Sequence, residues 1–214
     1  MDRIIQVNGL TRTELLLLRP FVRQPWKEFT VSDMKHITGN RSHHYVFEAL
    51  KKFTALRIIE EQKRGNTNIY RVNYDNNPNL DFLVMAEYSI RDERRDIPFN
   101  ILAKITNRLR NPFYVLMIGG SYVEKKQKVE SDLDMAIIIP NSEQKKKYEI
   151  ALKEGELTIP EIHGLVFTQE EFYQMLINKE FNYGKELARK HILVSGAEHY
   201  FKILFEAMRY GFKG

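Results

Sequence analysis

Apolar residues recur at helical spacing three times in the first third of the chain, and two short β-branched runs follow them. This spacing predicts three helices, over residues 13–22, 31–37 and 41–56. The two later runs flank a basic loop, Lys63–Asn68, and therefore predict a β-hairpin. Three helices followed by a hairpin with a basic tip are typical of a winged helix-turn-helix domain.

A polar, turn-rich stretch at Tyr74–Asn79 predicts a domain boundary, so we interpret residues 1–78 and 79–214 as two domains. Beyond this stretch, helical spacing predicts helices over residues 81–92, 99–109, 141–153, 168–176, 184–190 and 197–210. The apolar runs between them predict strands over residues 113–118, 133–139, 157–167 and 192–194. We therefore expect an α/β (α+β) domain with a small mixed sheet and helices on one face.

Candidate chemistry lies where two of these strands meet polar residues. The strand at 113–118 ends at the turn Gly119–Ser121, whose backbone N–H groups and hydroxyl suit phosphate oxygens. Asp132 and Asp134 begin the next apolar run, and side chains two apart in a strand point to the same face. Two converging carboxylates suit Mg²⁺. A metal beside a phosphate-binding turn indicates phosphoryl or nucleotidyl transfer.

The pair Gly120-Ser121, a gap of nine residues and the run Ser131-Asp132-Leu133-Asp134 resemble the nucleotidyltransferase signature of the DNA polymerase beta superfamily, and most closely its minimal, single-domain branch. The resemblance implies a nucleotidyltransferase fold that moves a nucleoside monophosphate from a nucleoside triphosphate to an acceptor hydroxyl with two Mg²⁺ ions. It assigns nucleotide binding to Gly119, Gly120, Ser121 and Ser131. Minimal members usually carry a small residue where Lys125 stands. The alternative interpretation is a hairpin with solvated acids.

The resemblance also implies a third acid, on the strand after the intervening helix, that completes the second metal site. Glu161 is the candidate, so Asp132, Asp134 and Glu161 are the expected catalytic and metal-binding residues. His163 lies two residues further on and hence on the same strand face. A shorter register would put His163 at the acid position and would leave the site weak or inactive. The sequence leaves both registers open.

The net charge of +5 lies entirely in the first predicted domain: residues 1–78 contain 13 Lys and Arg against 8 Asp and Glu, and residues 79–214 contain 20 of each. A basic small domain suggests a polyanionic partner, DNA or RNA. The start of the third helix would contact base edges, and basic residues around the hairpin would contact phosphates. The candidate residues are Arg41, Ser42, His43, His44, Arg57, Lys63 and Arg64. The alternative is a domain that contacts only protein.

Other features exclude several classes of protein. The chain has no cysteine, which excludes a disulfide framework and a cysteine-based zinc site. No apolar run reaches the length of a membrane span and the N-terminus lacks a signal-peptide pattern, so we expect a cytoplasmic protein without a membrane partner.

The alternative to an enzyme is an antitoxin-like regulator, in which the winged helix binds nucleic acid and the nucleotidyltransferase domain is degenerate.

Overall fold

The computed structural model describes residues 9–75, 77–109, 113–128 and 130–214. Residues 1–8, Asn76 of the predicted boundary and Val129 lie outside the described residues. The chain forms two compact units, one that reaches Ser89 and includes Lys213 and Gly214, and one that spans Ile90–Phe212. The division therefore lies later in the chain than the polar stretch at 74–79.

The described part of the first unit contains four helices and a hairpin, followed by a fifth helix whose last three residues, from Ile90 to Asp92, belong to the second unit. Their bounds are α1 Arg12–Leu17, α2 Arg19–Arg23, α3 Val31–Thr38, α4 His43–Ala55, β1 Ile59–Arg64, β2 Thr67–Val72 and α5 Leu80–Asp92. β1 and β2 pair antiparallel, and Phe29 forms a single antiparallel bridge with Tyr70. Helical regions followed by a hairpin occur in the predicted order, and the winged-helix assignment stays a prediction.

Two helix boundaries in this unit follow from local chemistry. The prediction of one helix over 13–22 is wrong, because Leu18 separates α1 from α2. Pro20 lies in the first turn of α2, where the missing N–H of proline is tolerated. Thr30 caps α3: its hydroxyl accepts a hydrogen bond from the Asp33 N–H at 3.1 Å.

The second unit is built on a four-stranded sheet. Its elements are α6 Phe99–Thr106, β3 Val115–Ile118, α7 Gly120–Val123, β4 Leu133–Ile139, α8 Lys145–Lys153, β5 Ile162–Thr168, α9 Gln169–Ile177, α10 Tyr183–Arg189, β6 Ile192–Ser195 and α11 Ala197–Arg209. The strand order is β5-β4-β3-β6. β3 pairs antiparallel with β4 and β6, whereas β4 and β5 are parallel, so the predicted mixed sheet is confirmed.

Helices cover this sheet on both sides. The odd-numbered positions of β4, from Leu133 to Ile139, pack in one cluster with residues of α6 and α8. Ala136 and Ile138 point to the opposite face and are also buried. α9 contacts β4 and β5, and α11 contacts β3. The expectation of helices on one face only is therefore wrong.

The strand that carries the third-acid region begins later than predicted. Residues 157–167 were expected to form it, but β5 is Ile162–Thr168 and Glu154–Leu157 form a 3₁₀ turn. Pro160 has no N–H to donate to a strand ladder, which explains why pairing starts after it. Glu161 therefore lies just before β5, and its carbonyl accepts a hydrogen bond from the Leu133 N–H at 2.8 Å.

Candidate active site

A glycine turn connects β3 to the short helix α7. The Gly119 N–H donates a hydrogen bond to the backbone carbonyl of Asp134 at 2.9 Å, which ties the turn to β4. Gly120 follows with φ of 61°, in the left-handed region that glycine adopts without a steric penalty. This conformation places the Gly120 backbone directly against the Asp134 carboxylate. The turn and the acidic strand therefore form one local structure.

The two aspartates lie at the start of β4, as the sequence predicts. Asp132 immediately precedes the strand and Asp134 is its second residue. In the parallel pairing of β4 with β5, Asp134 lies opposite His163 and Leu133 lies opposite Ile162. Because side chains alternate along strands, Asp132, Asp134, Glu161 and His163 share one face of the sheet.

Three of these side chains approach one another closely. Oδ2 of Asp132 lies 3.7 Å from Nδ1 of His163, and Nε2 of the same ring lies 3.4 Å from Oε1 of Glu161. One potential ligand atom from each side chain lies within 4.8 Å of the other two. Glu161 and His163 therefore both lie close to Asp132. Both residues remain candidates for the site, whichever of the two registers applies.

Burial changes the ionisation of the groups beside the glycine turn. Burial is the main reason that the pKa of Asp134 is raised above its ordinary 3.8, with His163 opposing and Asp132 adding to the rise. Burial, together with the charges of Asp134 and Glu186, also raises the pKa of Tyr183 to about 12. A raised pKa in Asp134 means that burial makes the charged form less favourable than it is in water, and a bound cation would offset this cost.

Tyr183 and Arg94 are residues near the site that the sequence analysis did not select. A Cβ atom added to Gly119 would lie 3.6 Å from the Tyr183 hydroxyl, so α10 packs over the turn. Arg94 is only 6% exposed and donates hydrogen bonds to Asp96 and to the backbone carbonyl of Val123. It thereby holds the end of α7. Several arginines occur together at 91–95, and nothing in the sequence distinguishes the buried one.

The loop after Ser121 contains two residues named in the sequence analysis. The Ser131 hydroxyl accepts a hydrogen bond from the Lys128 N–H at 2.8 Å, so it stabilises the turn before β4. Its assignment to nucleotide binding stays a prediction. Lys125 has φ of 56°, a conformation that is costly for a residue with a side chain. This explains physically why a small residue suits that position.

The residues proposed for nucleic-acid contact lie at two places in the first unit. Ser42 is the N-cap of α4, with its hydroxyl 3.2 Å from the Tyr45 N–H, so α4 begins at His43 and not at Arg41. The stretch Arg41–His44 is exposed, as are Arg57, Lys63 and Arg64. Arg64 forms an ion pair with Glu28 at 3.0 Å, so a phosphate would have to displace this carboxylate.

The donor set at the sheet edge suits a divalent cation. Carboxylate oxygens are the ligands that Mg²⁺ prefers, and imidazole nitrogen is a ligand for transition metals. Asp132, Glu161 and His163 are each between 43% and 56% exposed in their side chains, so an ion can reach them. The partly buried Asp134 lies on the same sheet face, but its carboxylate is outside this group of three side chains.

Comparison with known proteins agrees with this geometry. Residues 101–187 match the sequence model of the family described as nucleotidyltransferase domain. That range contains the glycine turn, both aspartates, Glu161 and His163, and the second unit has a nucleotidyltransferase fold. No curated protein and no solved structure matches the chain.

Among the described residues, no helix is both long enough and apolar enough to cross a membrane.

Proposed function

We propose that the second unit transfers a nucleoside monophosphate from a nucleoside triphosphate to an acceptor hydroxyl, with two Mg²⁺ ions held by Asp132, Asp134 and Glu161. The observation that carries this proposal is the contact between the glycine turn and Asp134. A phosphate-binding backbone and a metal-binding carboxylate meet there without any other side chain between them. The family match over residues 101–187 supports the same activity.

In this proposal each group has a separate role. Backbone N–H groups of the turn and the Ser121 hydroxyl bind the β- and γ-phosphates, which orients the α-phosphate towards the aspartates. Mg²⁺ bound by Asp132, Asp134 and Glu161 would neutralise charge on the phosphate oxygens and help ionise the acceptor hydroxyl. The hydroxyl oxygen forms a bond to the α-phosphorus, the bond from that phosphorus to the β-phosphate bridging oxygen breaks, and pyrophosphate leaves.

The experiment that tests the proposal is incubation of the full chain with α-labelled ATP, Mg²⁺ and cell lysate as the source of acceptors. We expect a labelled macromolecule or small molecule with the wild-type chain. The double variant Asp132→Asn with Asp134→Asn should abolish labelling, because it removes two anionic metal ligands. The matched control is Asp81→Asn with Asp92→Asn, which makes the same change at two exposed acids outside the site. Equal labelling by the two double variants would refute the assignment.

We also propose that the first unit binds DNA or RNA. The exposed stretch Arg41–His44 and the exposed cations Arg57, Lys63 and Arg64 support this, as does the concentration of positive charge in residues 1–78. An antitoxin-like regulator would bind nucleic acid and show no transfer activity. The presence of Glu161 beside Asp132 favours the enzyme, because a third acid is available there.

A further inference from the structure

We propose that His163 is a metal ligand and that it makes the site bind a first-row transition-metal dication, such as Mn²⁺, in preference to Mg²⁺. This inference deepens the proposed function and rests on it for the role of the ion. It assigns to His163 a function separate from that of the third acid, whereas the sequence offered His163 only as a substitute for Glu161.

The position of His163 in the sheet supports direct coordination. His163 is the strand neighbour of Asp134 across the parallel pair, so it shares a sheet face with both aspartates. Its two ring nitrogens lie 3.7 Å from Asp132 and 3.4 Å from Glu161. Two ligands that are each about 2.1 Å from one ion lie about 3.0 to 3.5 Å apart. Only one nitrogen of the ring can bind a given ion, so the relevant distance is the one between single ligand atoms: one such atom from each of the three side chains lies within 4.8 Å of the other two. Rotation of these exposed side chains can bring all three onto one cation.

The chemistry of the donor set determines which cation is favoured. Mg²⁺ prefers oxygen ligands in near-ideal octahedral geometry, and an imidazole nitrogen adds little to its binding. Imidazole adds more for transition-metal dications, whose affinities for nitrogen and oxygen sites exceed those of Mg²⁺. Mn²⁺ accepts both carboxylate and imidazole ligands. A site of Asp132, Glu161 and His163 should therefore discriminate in favour of Mn²⁺.

The alternative role for His163 is a hydrogen bond to the neighbouring acids without any metal contact. The two roles differ in one measurable property, the coupling between the ¹⁴N nucleus of the ring and the unpaired electrons of bound Mn²⁺. Electron spin-echo envelope modulation of the tag-free full chain with Mn²⁺ alone detects that coupling. It requires neither a triphosphate nor an acceptor, so it is independent of turnover.

We expect ¹⁴N modulation in the wild-type chain, its loss in His163→Ala and its retention in His199→Ala. His199 is the matched control, since it is an exposed histidine on α11. The dissociation constant for Mn²⁺, measured from the signal of free Mn²⁺, should rise at least about tenfold in His163→Ala, given that even outer-shell partners of metal ligands are worth about 10- to 100-fold. His163→Asp should create a site with only oxygen ligands and should lower the preference for Mn²⁺ over Mg²⁺.

Three results would overturn the inference: modulation that persists in His163→Ala, wild-type protein that binds Mn²⁺ without nitrogen coupling, or no Mn²⁺ binding. These results are distinguishable from failure of the proposed function. Nitrogen coupling that depends on His163, in a protein that labels no acceptor, would support the metal assignment and refute the transfer activity. Labelling with Mg²⁺ by a protein that lacks the nitrogen coupling would support the transfer activity and refute the assignment of His163 as a metal ligand.

Discussion

A Cβ atom added to Gly120 would lie 1.8 Å from Oδ2 of Asp134, far closer than any two such atoms approach in a folded protein. The Gly120 φ of 61° would also be strained in any residue with a side chain. The absence of a side chain at this position is therefore needed for two independent reasons, the backbone conformation and the position of the Asp134 carboxylate.

We predict that Gly120→Ala loses nucleotidyl transfer because the new methyl group displaces the Asp134 carboxylate. The left-handed backbone should also reduce the free energy of unfolding by about 1–2 kcal/mol. Gly65→Ala is a matched control, because Gly65 has φ of 62° and no atom within 4 Å of an added Cβ. It should show a similar loss in urea denaturation with unchanged labelling. Equal activity in the two variants would contradict the prediction.

The glycine turn and the aspartates could be predicted from the sequence because their chemistry is local. Gly120 and Asp134 are separated only by the short helix α7 and a loop, and their spacing alone predicted a shared site. The capping box of α9, between Thr168 and Glu171, is equally local, because both residues lie at the N-terminal end of the helix.

Features that depend on tertiary packing could not be predicted in the same way. The register that sets Asp134 opposite His163 is fixed by the pairing of two strands separated by α8. The burial of Arg94 beneath the end of α7 depends on contacts with residues distant in sequence. The sequence therefore identified the acids but could not decide how Glu161 and His163 are arranged around them.

We predict that Asp134→Asn stabilises the metal-free protein at neutral pH. Burial raises the pKa of Asp134 in the folded state above 3.8. As the pH rises from about 3.8 through that raised value, the unfolded chain releases its proton first, so the folded state becomes relatively less stable. The melting temperature of the variant in the presence of a chelator should exceed that of the wild type at pH 7, and the difference should shrink towards pH 3. A lower melting temperature at pH 7 would refute this prediction.

The contribution of the ion pair between Arg94 and Asp96 to stability should depend on pH in the opposite direction: it should fall as the pH falls. Hydrogen bonds from Arg94 are the main reason that the pKa of Asp96 is lowered to about 2. The stabilisation is complete above about pH 4 and is lost as the pH falls through about 2, because protonation then removes the favourable charge. Asp96→Asn should destabilise the protein at pH 7, by less than the full pKa shift implies because solvent screens this exposed carboxylate, and the difference should decrease in denaturation experiments below pH 4. A cost that is constant over pH 2–7 would contradict the pairing.

Arg94 also allows a test of the structural role of this pair. Arg94→Met should destabilise the protein by about 1–2 kcal/mol, less than removing one partner of a fully buried ion pair, because Arg94 is buried but Asp96 is exposed. The loss removes the Arg94 hydrogen bonds to the Val123 carbonyl and to Asp96, which keeps its hydrogen bond from Gln127. Arg95→Met is the control, because Arg95 is exposed. Urea denaturation at pH 7 compares the two variants, and equal stabilities would show that Arg94 does not hold α7.

We predict that Glu161→Gln lowers turnover by about 10- to 100-fold, a typical scale for a weakened metal site, while triphosphate binding is largely kept. The fold should be unaffected, because Glu161 is anchored by its backbone carbonyl to the Leu133 N–H. Glu170→Gln changes an exposed glutamate at the start of α9 and is the control. Steady-state kinetics and equilibrium binding of the triphosphate separate the two effects. A silent Glu161→Gln beside a damaging His163→Ala would assign the third-acid role to His163.

The ion pair between Arg64 and Glu28 yields a prediction about nucleic-acid binding by the first unit. Phosphate contacts make the logarithm of the affinity fall linearly with the logarithm of the salt concentration. Lys63 is exposed, so Lys63→Ala should reduce that slope by about 0.9, the value for one lost contact. Glu28→Gln should instead strengthen binding, because it removes the carboxylate that lies 3.0 Å from the Arg64 guanidinium.

Titration of the full chain against duplex DNA and duplex RNA at several salt concentrations measures both effects. Lys51→Ala is the control, because Lys51 is an exposed cation on α4 that the proposed contact surface does not include. An equal change of slope for Lys51 and Lys63 would indicate attraction to overall charge rather than a defined surface. Weaker binding by Glu28→Gln would mean that the ion pair positions Arg64 instead of competing for it. The absence of binding even at low salt would leave the first unit as a protein-contact module, and the acceptor of the transfer would then have to be sought without nucleic acid.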